Sequence, residues 1–295
     1  ADYLLYVDGK AAGVIEAKKR GATLTGVERQ SDRYAKGLPT TLPAWSRPLP
    51  FAYESTGIET RFTNGLDPEP RSRPVFAFHR SETLREWLST SSVGAASAAT
   101  RAADGTEPYT PDTFLTRVRA MPPLVTEWGE HKLWPAQITA IRNLEASLAQ
   151  NKPRALIQMA TGSGKTFTAI SFIYRLIKFA GARRVLFLVD RGNLGRQAKK
   201  EFDQYVSPVN NYKFGEEYIV QHLTSNNLDK TPRVCISTIQ RMLSMLKGRD
   251  LPDEADEEST ERVESLFDKE PEPIDYNPAF PIETFDIIVT DEAHR

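Results

Sequence analysis

Three observations predict an α/β protein with two domains. The 295 residues are enough for about two domains of ordinary size, each with its own core. In the longer second part, apolar runs of strand length alternate with helical patterns, which predicts a parallel sheet doubly wound by helices. The first part opens with a hairpin pattern, and Ser89–Asp104 is rich in Ser, Ala and Thr. We therefore expect domains at 1–90 and 113–295, joined by a linker at 91–112.

The composition is typical of a soluble protein, with 40% hydrophobic and 26% charged residues. No apolar run approaches the roughly 18 residues that a membrane span needs, and no signal peptide opens the chain, so we expect a cytoplasmic protein without a membrane partner. The single cysteine, Cys235, lies in the apolar run VCIS and is expected to be a buried small hydrophobe. The sequence lacks an initial Met and stops after Asp-Glu-Ala-His-Arg, so we interpret it as a segment of a longer protein.

The chain opens with a predicted hairpin of Tyr3–Val7 and Ala11–Ala17 around an Asp8-Gly9 turn. Because side chains alternate along a strand, a two-residue loop would pair Asp2 with Ile15 and place Glu16 on the other face. We therefore predict a three-residue connection with a Gly bulge, which brings Asp2 and Glu16 to one face.

Lys18 would share that face with the two carboxylates. Asp2 and Glu16 could hold Mg²⁺, a hard cation that prefers oxygen ligands, beside the Lys18 ammonium. Such a trio suits phosphodiester hydrolysis, in which the metal polarises the phosphoryl group and Lys18 orients or activates the attacking water. The alternative is a charged, solvated surface.

A helix should follow the hairpin. Thr25 and Glu28 form a predicted capping box, and the helix should run to about Lys36. Gln30 and Tyr34 are spaced i and i+4, so they lie on one helix face.

These residues resemble the PD-(D/E)xK nuclease core with the QxxxY helix of the restriction subunit of type I restriction-modification enzymes. By this resemblance, Asp2 and Glu16 bind metal, Lys18 is catalytic, and Gln30 and Tyr34 support the site or contact DNA. Ala1 stands where the motif has Pro, and the helix that precedes the hairpin in such nucleases is missing. We therefore expect an N-terminally incomplete nuclease domain at 1–90.

The second part is organised around the sequence ATGSGKT. A predicted strand at Ala155–Ile157 leads into a Gly-rich loop, and Lys165 starts a helix that should end near Gly181. Backbone amides of such a loop and the helix dipole bind phosphate, Lys165 would reach the β and γ phosphates, and Thr166 would bind Mg²⁺. Met159 replaces the first Gly of the full pattern, and the loop resembles the variant of helicase-like ATPases. The residues expected around the nucleotide are Thr161, Gly162, Ser163, Gly164, Lys165 and Thr166.

Residues 113–150 are predicted to be mostly helical and include Gln137. In superfamily 2 helicase-like ATPases a Gln upstream of the loop reads the adenine edge, and by resemblance Gln137 takes this role. Phe285–Thr290 is the last predicted strand, and Asp291 and Glu292 follow directly at its end. Asp291 would bind the Mg²⁺ shared with Thr166, and Glu292 would polarise the attacking water.

Two further strands, Val185–Val189 and Arg233–Ser237, each lead into a polar loop and a helix. The two loops carry the sequences DRGNL and STIQ, at the strand ends where ligands of doubly wound sheets bind. They resemble the DNA-backbone-contacting motifs of the same superfamily, and the alternative is an ordinary strand-to-helix turn. A shorter strand is predicted at Tyr218–Val220.

Charge is distributed unevenly along the chain. Residues 101–249 carry 22 Lys and Arg against 12 Asp and Glu, whereas residues 250–275 carry 12 acidic residues against two basic ones. A basic block favours nucleic-acid binding, although a scattered solvated surface is the alternative. We interpret the acidic run as a mobile surface insertion rather than a DNA mimic or a subunit-docking element.

The full order of motifs resembles the motor subunit of a type I restriction enzyme, with a PD-(D/E)xK nuclease domain followed by a RecA-like doubly wound ATPase domain of superfamily 2. The resemblance implies ATP-driven translocation of double-stranded DNA coupled to Mg²⁺-dependent cleavage, with methyltransferase and specificity subunits as partners. Alternatives are another nuclease-helicase fusion, such as a type III, stand-alone or repair protein, and a nucleotide-gated DNA-binding scaffold with a degenerate nuclease. Such motors close ATP between two RecA-like domains, so the segment alone should hydrolyse ATP hardly at all.

Overall fold

The computed structural model describes residues 2–90, 112–251, 256–257 and 277–292. The chain divides into two compact units. Unit 1 comprises Ala1–Thr116 and Pro281–Glu283, and unit 2 comprises Arg117–Phe280 and Thr284–Arg295. The linker expected at 91–112 lies almost wholly outside the described residues. Within the described ranges, no helix is long and apolar enough to cross a membrane.

Unit 1 is built on a five-stranded mixed sheet in the order β1-β2-β3-β4-β5. Only β2 and β3 run parallel, and α1 forms the crossover between them. A second helix, α2, covers residues 81–90. The element bounds are β1 Tyr3–Val7, β2 Lys10–Ala17, α1 Glu28–Lys36, β3 Phe51–Ser55, β4 Thr60–Asn64 and β5 Arg73–Val75.

The β1–β2 hairpin reaches the predicted pairing by a different route. Val7 pairs with Lys10 across a two-residue Asp8-Gly9 turn, so the predicted three-residue connection is wrong. The extra residue lies inside β2, because the register shifts between Leu5 and Tyr6. Tyr3 then pairs with Ile15, which carries Asp2 opposite Glu16.

The bulge also decides which face of β2 carries the acidic side chain. Ala12, before the shift, packs with Phe51 and Tyr53 on the α2 side of the sheet, whereas Val14 packs with Ala35 of α1. Glu16 follows Val14 by two residues and therefore faces α1. At Gly13, inside the bulge, a Cβ atom would lie 2.4 Å from the backbone oxygen of Phe51. The close approach of β2 and β3 thus requires glycine at this position.

One sequence prediction for unit 1 fails, and one strand has no predicted counterpart. The residue before α1 is Val27, without a side-chain cap, so the predicted Thr25–Glu28 capping box is wrong. The sequence of β4, TRFTN, has a weak apolar pattern that does not predict a strand. In the structure, Phe62 of β4 packs against Phe51 and Tyr53 of β3.

Unit 2 contains a four-stranded, wholly parallel sheet in the order β11-β8-β10-β9. A two-stranded ribbon, β6–β7, precedes it in the chain. The sheet strands and ribbon strands are β6 Glu127–Trp128, β7 His131–Lys132, β8 Val185–Val189, β9 Val220–His222, β10 Val234–Thr238 and β11 Ile287–Thr290. Helix α3, Phe114–Arg119, crosses the boundary between the units in the chain. The helices of unit 2 are α4 Pro135–Ala149, α5 Lys165–Lys178, α6 Gly192–Gln204, α7 Phe214–Glu217 and α8 Ile239–Leu246.

Alternation along β8 shows that helices cover both faces of this sheet. Leu186 packs in one cluster with Met242 and Met245 of α8. Phe187, which points to the other face, meets Phe202 of α6 with ring centroids 5.7 Å apart. The arrangement is a parallel sheet covered on both sides, as the continuous apolar run of β8 predicts.

Two predictions for unit 2 differ from the structure. Residues 152–160 form no strand, and Leu156 is 84% exposed, because this segment pairs with no strand of the described sheet. The stretch 113–150 is mostly helical, as predicted, but the β6–β7 ribbon separates its two helices, α3 and α4. The short strand β9 is Val220–His222 rather than Tyr218–Val220.

Candidate functional site

The predicted nuclease residues of unit 1 form one hydrogen-bonded cluster. Glu16 is 3% exposed, and its Oε1 accepts hydrogen bonds from Lys18 Nζ at 2.7 Å and from Gln30 Nε2 at 2.6 Å. Lys18 Nζ also donates to Gln30 Oε1 at 3.2 Å. The three side chains therefore close a ring, which fixes the ammonium against a buried carboxylate. We call this group, together with Asp2, the carboxylate–lysine cluster.

Asp2 and Tyr34 complete the surroundings of Lys18. The Asp2 carboxylate accepts a 2.7 Å hydrogen bond from the backbone N–H of Ala17, next to Lys18. The hydrogen bond to Glu16 raises the pKa of Lys18, and the nearby Asp2 and Tyr34 groups add smaller contributions in the same direction. Lys18 is thus held as a cation by the groups predicted to share its face.

Glu54 is a residue that the sequence reasoning missed. It is the register partner of Glu16 across the parallel β2–β3 pair, and it is 1% exposed. Its Oε2 accepts a 3.3 Å hydrogen bond from Ser72 Oγ. Burial raises the pKa of Glu54, while hydrogen bonds to Ser31 and Ser72 oppose that change. The available signal was a carboxylate inside FAYES, at a position that alternates with the apolar Phe51 and Tyr53.

The donor chemistry of this face fits a hard divalent cation. Carboxylate oxygens are the ligands that Mg²⁺ prefers, and Asp2 and Glu16 supply them on adjacent strands. A further buried carboxylate oxygen, Glu54 Oε1, has no hydrogen-bond partner among the described residues. In the described ranges, however, no three acidic, His or Cys side chains are gathered at metal-binding distance.

Two glycines of the predicted phosphate loop of unit 2 have a left-handed backbone. Gly162 and Gly164 have φ values of +78° and +77°, which glycine adopts without a steric penalty. Turns of this kind can direct successive backbone N–H groups at an anion. A Cβ atom on Gly164 would lie 2.5 Å from Gln137 Nε2, which requires glycine there. Ser163 folds its hydroxyl back onto the carbonyl oxygen of Ala160 at 2.6 Å. The exposed Thr161 precedes these residues in the loop.

Lys165 and the last strand meet beside this loop. The Lys165 ammonium lies 3.3 Å from Glu292 Oε1, although 127 residues separate the two in sequence. Asp291 continues the β11–β8 ladder, since its N–H donates to the carbonyl oxygen of Leu188 at 2.9 Å. Thr166, the second residue of α5, is partly exposed. The fold thus brings the predicted Lys, Thr, Asp and Glu to one edge of the sheet.

Gln137 lies against the loop but is not exposed. It is 5% exposed, its Oε1 accepts from Trp134 N at 2.8 Å, and its Nε2 donates to Ser163 O at 3.4 Å. The adenine contact of Gln137 therefore stays a prediction. A groove of about 700 Å³ lies beside it, between α4 and the segment that leads into the loop. Its lining includes Ala136, Thr139, Asn143, Ala160 and Ser163.

The two predicted DNA-contacting loops open α6 and α8 at the ends of adjacent strands β8 and β10. Thr238 caps α8, with its hydroxyl oxygen accepting from Arg241 N at 3.1 Å. Asp256 and Glu257, from the acidic run, contact these same two helix starts. Asp256 is 6% exposed, so the interpretation of the run as a surface insertion is wrong at this residue.

Cys235 is buried as predicted, and burial raises the pKa of its thiol to about 11.

Comparison with known proteins identifies the family. Residues 1–71 match the family described as the N terminus of type I restriction enzyme R proteins. Residues 130–295 match the family described as the res subunit of type III restriction enzymes. Over its whole length the chain is 26% identical to the endonuclease subunit of the type I restriction enzyme EcoKI from Escherichia coli. The chain belongs to the family described as the res subunit of type III restriction enzymes, whose model matches more than half of its residues. The match of residues 1–71 and the EcoKI similarity support a fragment of a type I restriction subunit.

Other similarities of this chain are more local or more distant. The endonuclease subunit of the type I enzyme EcoAI from Escherichia coli is 43% identical over 63 residues, which are 21% of the chain and 8% of that protein. A solved fragment of a putative HsdR subunit of a type I restriction enzyme from Vibrio vulnificus is 18% identical. The match covers 96% of this chain and 39% of that one, with a TM-score of 0.34. The chain spans only 24% of the EcoKI subunit.

Proposed function

We propose that this chain carries the PD-(D/E)xK nuclease domain, at 1–90, and the first RecA-like ATPase domain, at 113–295, of a type I restriction motor. The motor would couple ATP-driven translocation of double-stranded DNA to Mg²⁺-dependent cleavage, together with methyltransferase and specificity subunits. The observation that carries the proposal is the ring of Glu16, Lys18 and Gln30, in which a buried carboxylate and a fixed ammonium face the same side as Asp2.

In the nuclease domain, Asp2 and Glu16 would hold Mg²⁺, which supplies Lewis-acid polarisation of the phosphoryl group. Lys18 keeps its proton because it donates to Glu16 and Gln30, so it can orient a water molecule or neutralise charge on the attacked phosphate. Gln30 touches both charged groups and would keep them in register when one oxygen of Glu16 turns to the cation. Tyr34, at the next turn of α1, is 40% exposed and would contact DNA.

In the ATPase domain, the α5 N-terminus and the amides of the glycine loop would bind the phosphates of ATP. Lys165 is held by Glu292 at 3.3 Å, and the phosphates would compete for its ammonium. Transfer of Lys165 to the phosphates would release Glu292 to polarise the attacking water. Asp291 and Thr166 provide the oxygen atoms that would hold Mg²⁺. Gln137 supports the loop through Ser163 and would border the adenine site.

The test uses the full-length R protein assembled with its partner subunits. Glu16→Gln should reduce plasmid cleavage by about 100-fold or more and leave DNA-dependent ATP hydrolysis near normal, because the two clusters lie in different units. Glu82→Gln, which removes an exposed carboxylate of α2, is the matched control and should cleave normally. A nucleotide-gated scaffold predicts no cleavage by the wild type. Full cleavage by Glu16→Gln would show that the cluster is a charged surface.

A further inference from the structure

Glu54 lies where it can add to the carboxylate–lysine cluster. It pairs in register with Glu16 across the parallel β2–β3 pair, and adjacent strands are about 4.8 Å apart. Phe51 and Tyr53 point to the α2 side of the sheet, so Glu54 points to the α1 side. Glu16 faces α1 as well, because its Oε1 accepts from Gln30. The two carboxylates therefore share one face of two neighbouring strands.

The surroundings of Glu54 compensate its charge only in part. The side chain is 1% exposed, Ser72 donates to Oε2, and Oε1 has no hydrogen-bond partner among the described residues. Arg61, its register partner on the other side, lowers the pKa of Glu54, but the Arg61 Nε donates to Glu59 at 2.7 Å. A buried carboxylate without an ion pair is costly. Its retention beside Glu16 is explained if a cation binds there.

We propose that Glu54 is a third carboxylate of the nuclease Mg²⁺ site, adding an oxygen ligand to those of Asp2 and Glu16. The proposal rests on the proposed nuclease function. Ser72 would keep Oε2, and Oε1 would turn toward Glu16 when the cation binds. This turn is needed because no three such side chains of the described residues are gathered at metal-binding distance. An all-oxygen set fits Mg²⁺ and Mn²⁺.

The experiment measures Mn²⁺ binding to the full-length R protein by electron paramagnetic resonance, beside cleavage as a function of Mg²⁺ concentration. Glu54→Gln keeps the size of the side chain and should weaken Mn²⁺ binding about 10-fold, with cleavage partly rescued at high Mn²⁺. Glu54→Asp keeps the charge with a shorter reach and should give an intermediate affinity. Glu82→Gln, at an exposed position of α2, is the matched control and should bind as the wild type does.

The outcomes distinguish a wrong assignment of Glu54 from a wrong nuclease site. If Glu54→Gln and Glu54→Asp bind Mn²⁺ with wild-type affinity while Glu16→Gln binds it weakly, Glu54 is not a ligand. If Glu16→Gln also binds Mn²⁺ normally, the proposed nuclease site itself is wrong. If Glu54→Gln does not fold, Glu54→Asp decides the matter, because a ligand predicts weaker Mn²⁺ binding in a folded protein.

A second, independent observation concerns unit 2, where two acidic residues contact the loops predicted to bind DNA. Asp256 accepts from Arg241 Nε at 3.1 Å and from the Thr238 hydroxyl, at the start of α8. Arg241 is 2% exposed and Asp256 6% exposed. This buried pair fixes the position of the residue that follows, Glu257.

Glu257 makes contacts that a phosphate group could also make. Its Oε2 accepts from Asn193 N at 3.1 Å, at the start of α6, and its Oε1 accepts from Arg196 at 2.6 Å. A Cβ atom on Gly192 would lie 2.9 Å from Glu257 Oε1, so glycine allows this approach. Glu257 is 45% exposed and Arg196 58% exposed, so the pair is weak and can exchange with another anion.

We infer that Glu257 occupies a position that the DNA backbone must take over, with Asp256 as its anchor. The inference rests on the proposed translocation of DNA. Exchange of the Glu257 carboxylate for a phosphate leaves the Asn193 amide and Arg196 satisfied, since each has an anionic acceptor in both states. Glu257 would therefore lower the affinity for DNA without blocking it.

The test compares duplex DNA binding by full-length variants at several salt concentrations. Glu257→Gln should bind about 3- to 10-fold more tightly than the wild type, with a steeper salt dependence. Glu127→Gln, an exposed acidic residue of the same unit, is the matched control and should have little effect. Arg196→Ala should weaken binding and abolish the gain from Glu257→Gln. Equal affinities of Glu257→Gln and Glu127→Gln overturn the inference, and unchanged binding by Arg196→Ala removes this surface from the DNA path.

Discussion

Acid should weaken unit 1 through His79. The imidazole Nδ1 lies 2.7 Å from the Tyr53 hydroxyl, and the ring lies 4.5 Å from the Phe62 ring and 5.0 Å from the Trp87 ring, between centroids. Burial among these rings lowers the pKa of His79 from 6.5 to about 4. The His79 imidazole is therefore protonated below about pH 6.5 in the unfolded chain, but only below about pH 4 in the folded unit.

The sign and size follow from proton linkage. Between these two pKa values the unfolded state holds more protons, so the free energy of unfolding falls as the pH falls from 6.5 toward 4. The contribution of neutral His79 to stability is fully present above pH 6.5. One pKa unit corresponds to about 1.4 kcal/mol. Because solvent screens the partly exposed ring, the loss in free energy of unfolding should be smaller than the full pKa difference implies, about 2 kcal/mol. The loss would weaken β3 and β4, and with them the sheet that carries Glu16 and Glu54.

The assay is urea unfolding at pH 4.5 to 7.5, read by hydrogen exchange in peptides that cover β3 and β4. His79→Asn places an oxygen near the position of Nδ1 and does not titrate in this range. The variant should therefore lose most of the pH dependence of the free energy of unfolding, even if its stability at neutral pH also changes. His131→Asn, at an exposed position of unit 2, is the control and should keep the wild-type slope. A slope that survives in His79→Asn would refute the assignment to this ring.

The remaining predictions concern the ATPase loop, the bulge and the cysteine. Lys165→Ala in the full-length protein should abolish DNA-stimulated ATP hydrolysis, measured by phosphate release, and largely spare DNA binding in a gel-shift assay; retained ATPase activity contradicts the loop assignment. Gly13→Ala should destabilise unit 1 by about 2 kcal/mol or more in urea unfolding, because a Cβ there would lie 2.4 Å from a backbone oxygen. Gly57→Ala, whose Cβ would meet no atom within 4 Å at a φ of +81°, measures the cost of backbone strain without a clash. Cys235 should not react with a maleimide at pH 8 in the folded protein, since burial raises the pKa of its thiol to about 11, and rapid labelling without denaturant would contradict its burial.

Much of the candidate site could be predicted from the sequence because its chemistry is local. The spacing of Gln30 and Tyr34 places both on one side of α1, and the glycines of ATGSGKT can adopt positive φ values that other residues avoid. The strand Val185–Val189 formed as predicted, because a continuous apolar run suits a strand that is covered on both faces.

The same local rules failed where distant contacts decide the structure. The segment 155–157 has the apolar composition of a strand, yet it forms none, because a strand needs a hydrogen-bonded neighbour that the sequence pattern does not specify. The β4 strand has a weak pattern but forms, because β3 and β5 pair with it on both sides. Pairing therefore decided these cases, and composition did not.

By itself the sequence determined which residues are candidates for the chemistry: the carboxylates and lysine of the hairpin, the predicted phosphate loop, and the acidic pair after β11. Only the tertiary structure decided how they meet. A bulge inside β2, rather than a longer turn, puts Glu16 on the α1 side, and the parallel pairing of β2 and β3 sets Glu54 beside it. Lys165, at the start of α5, meets Glu292 across 127 residues, just after the strand β11 that pairs in parallel with β8. A pattern of residues fixes faces and local turns, whereas register and strand neighbours depend on contacts between segments far apart in the chain.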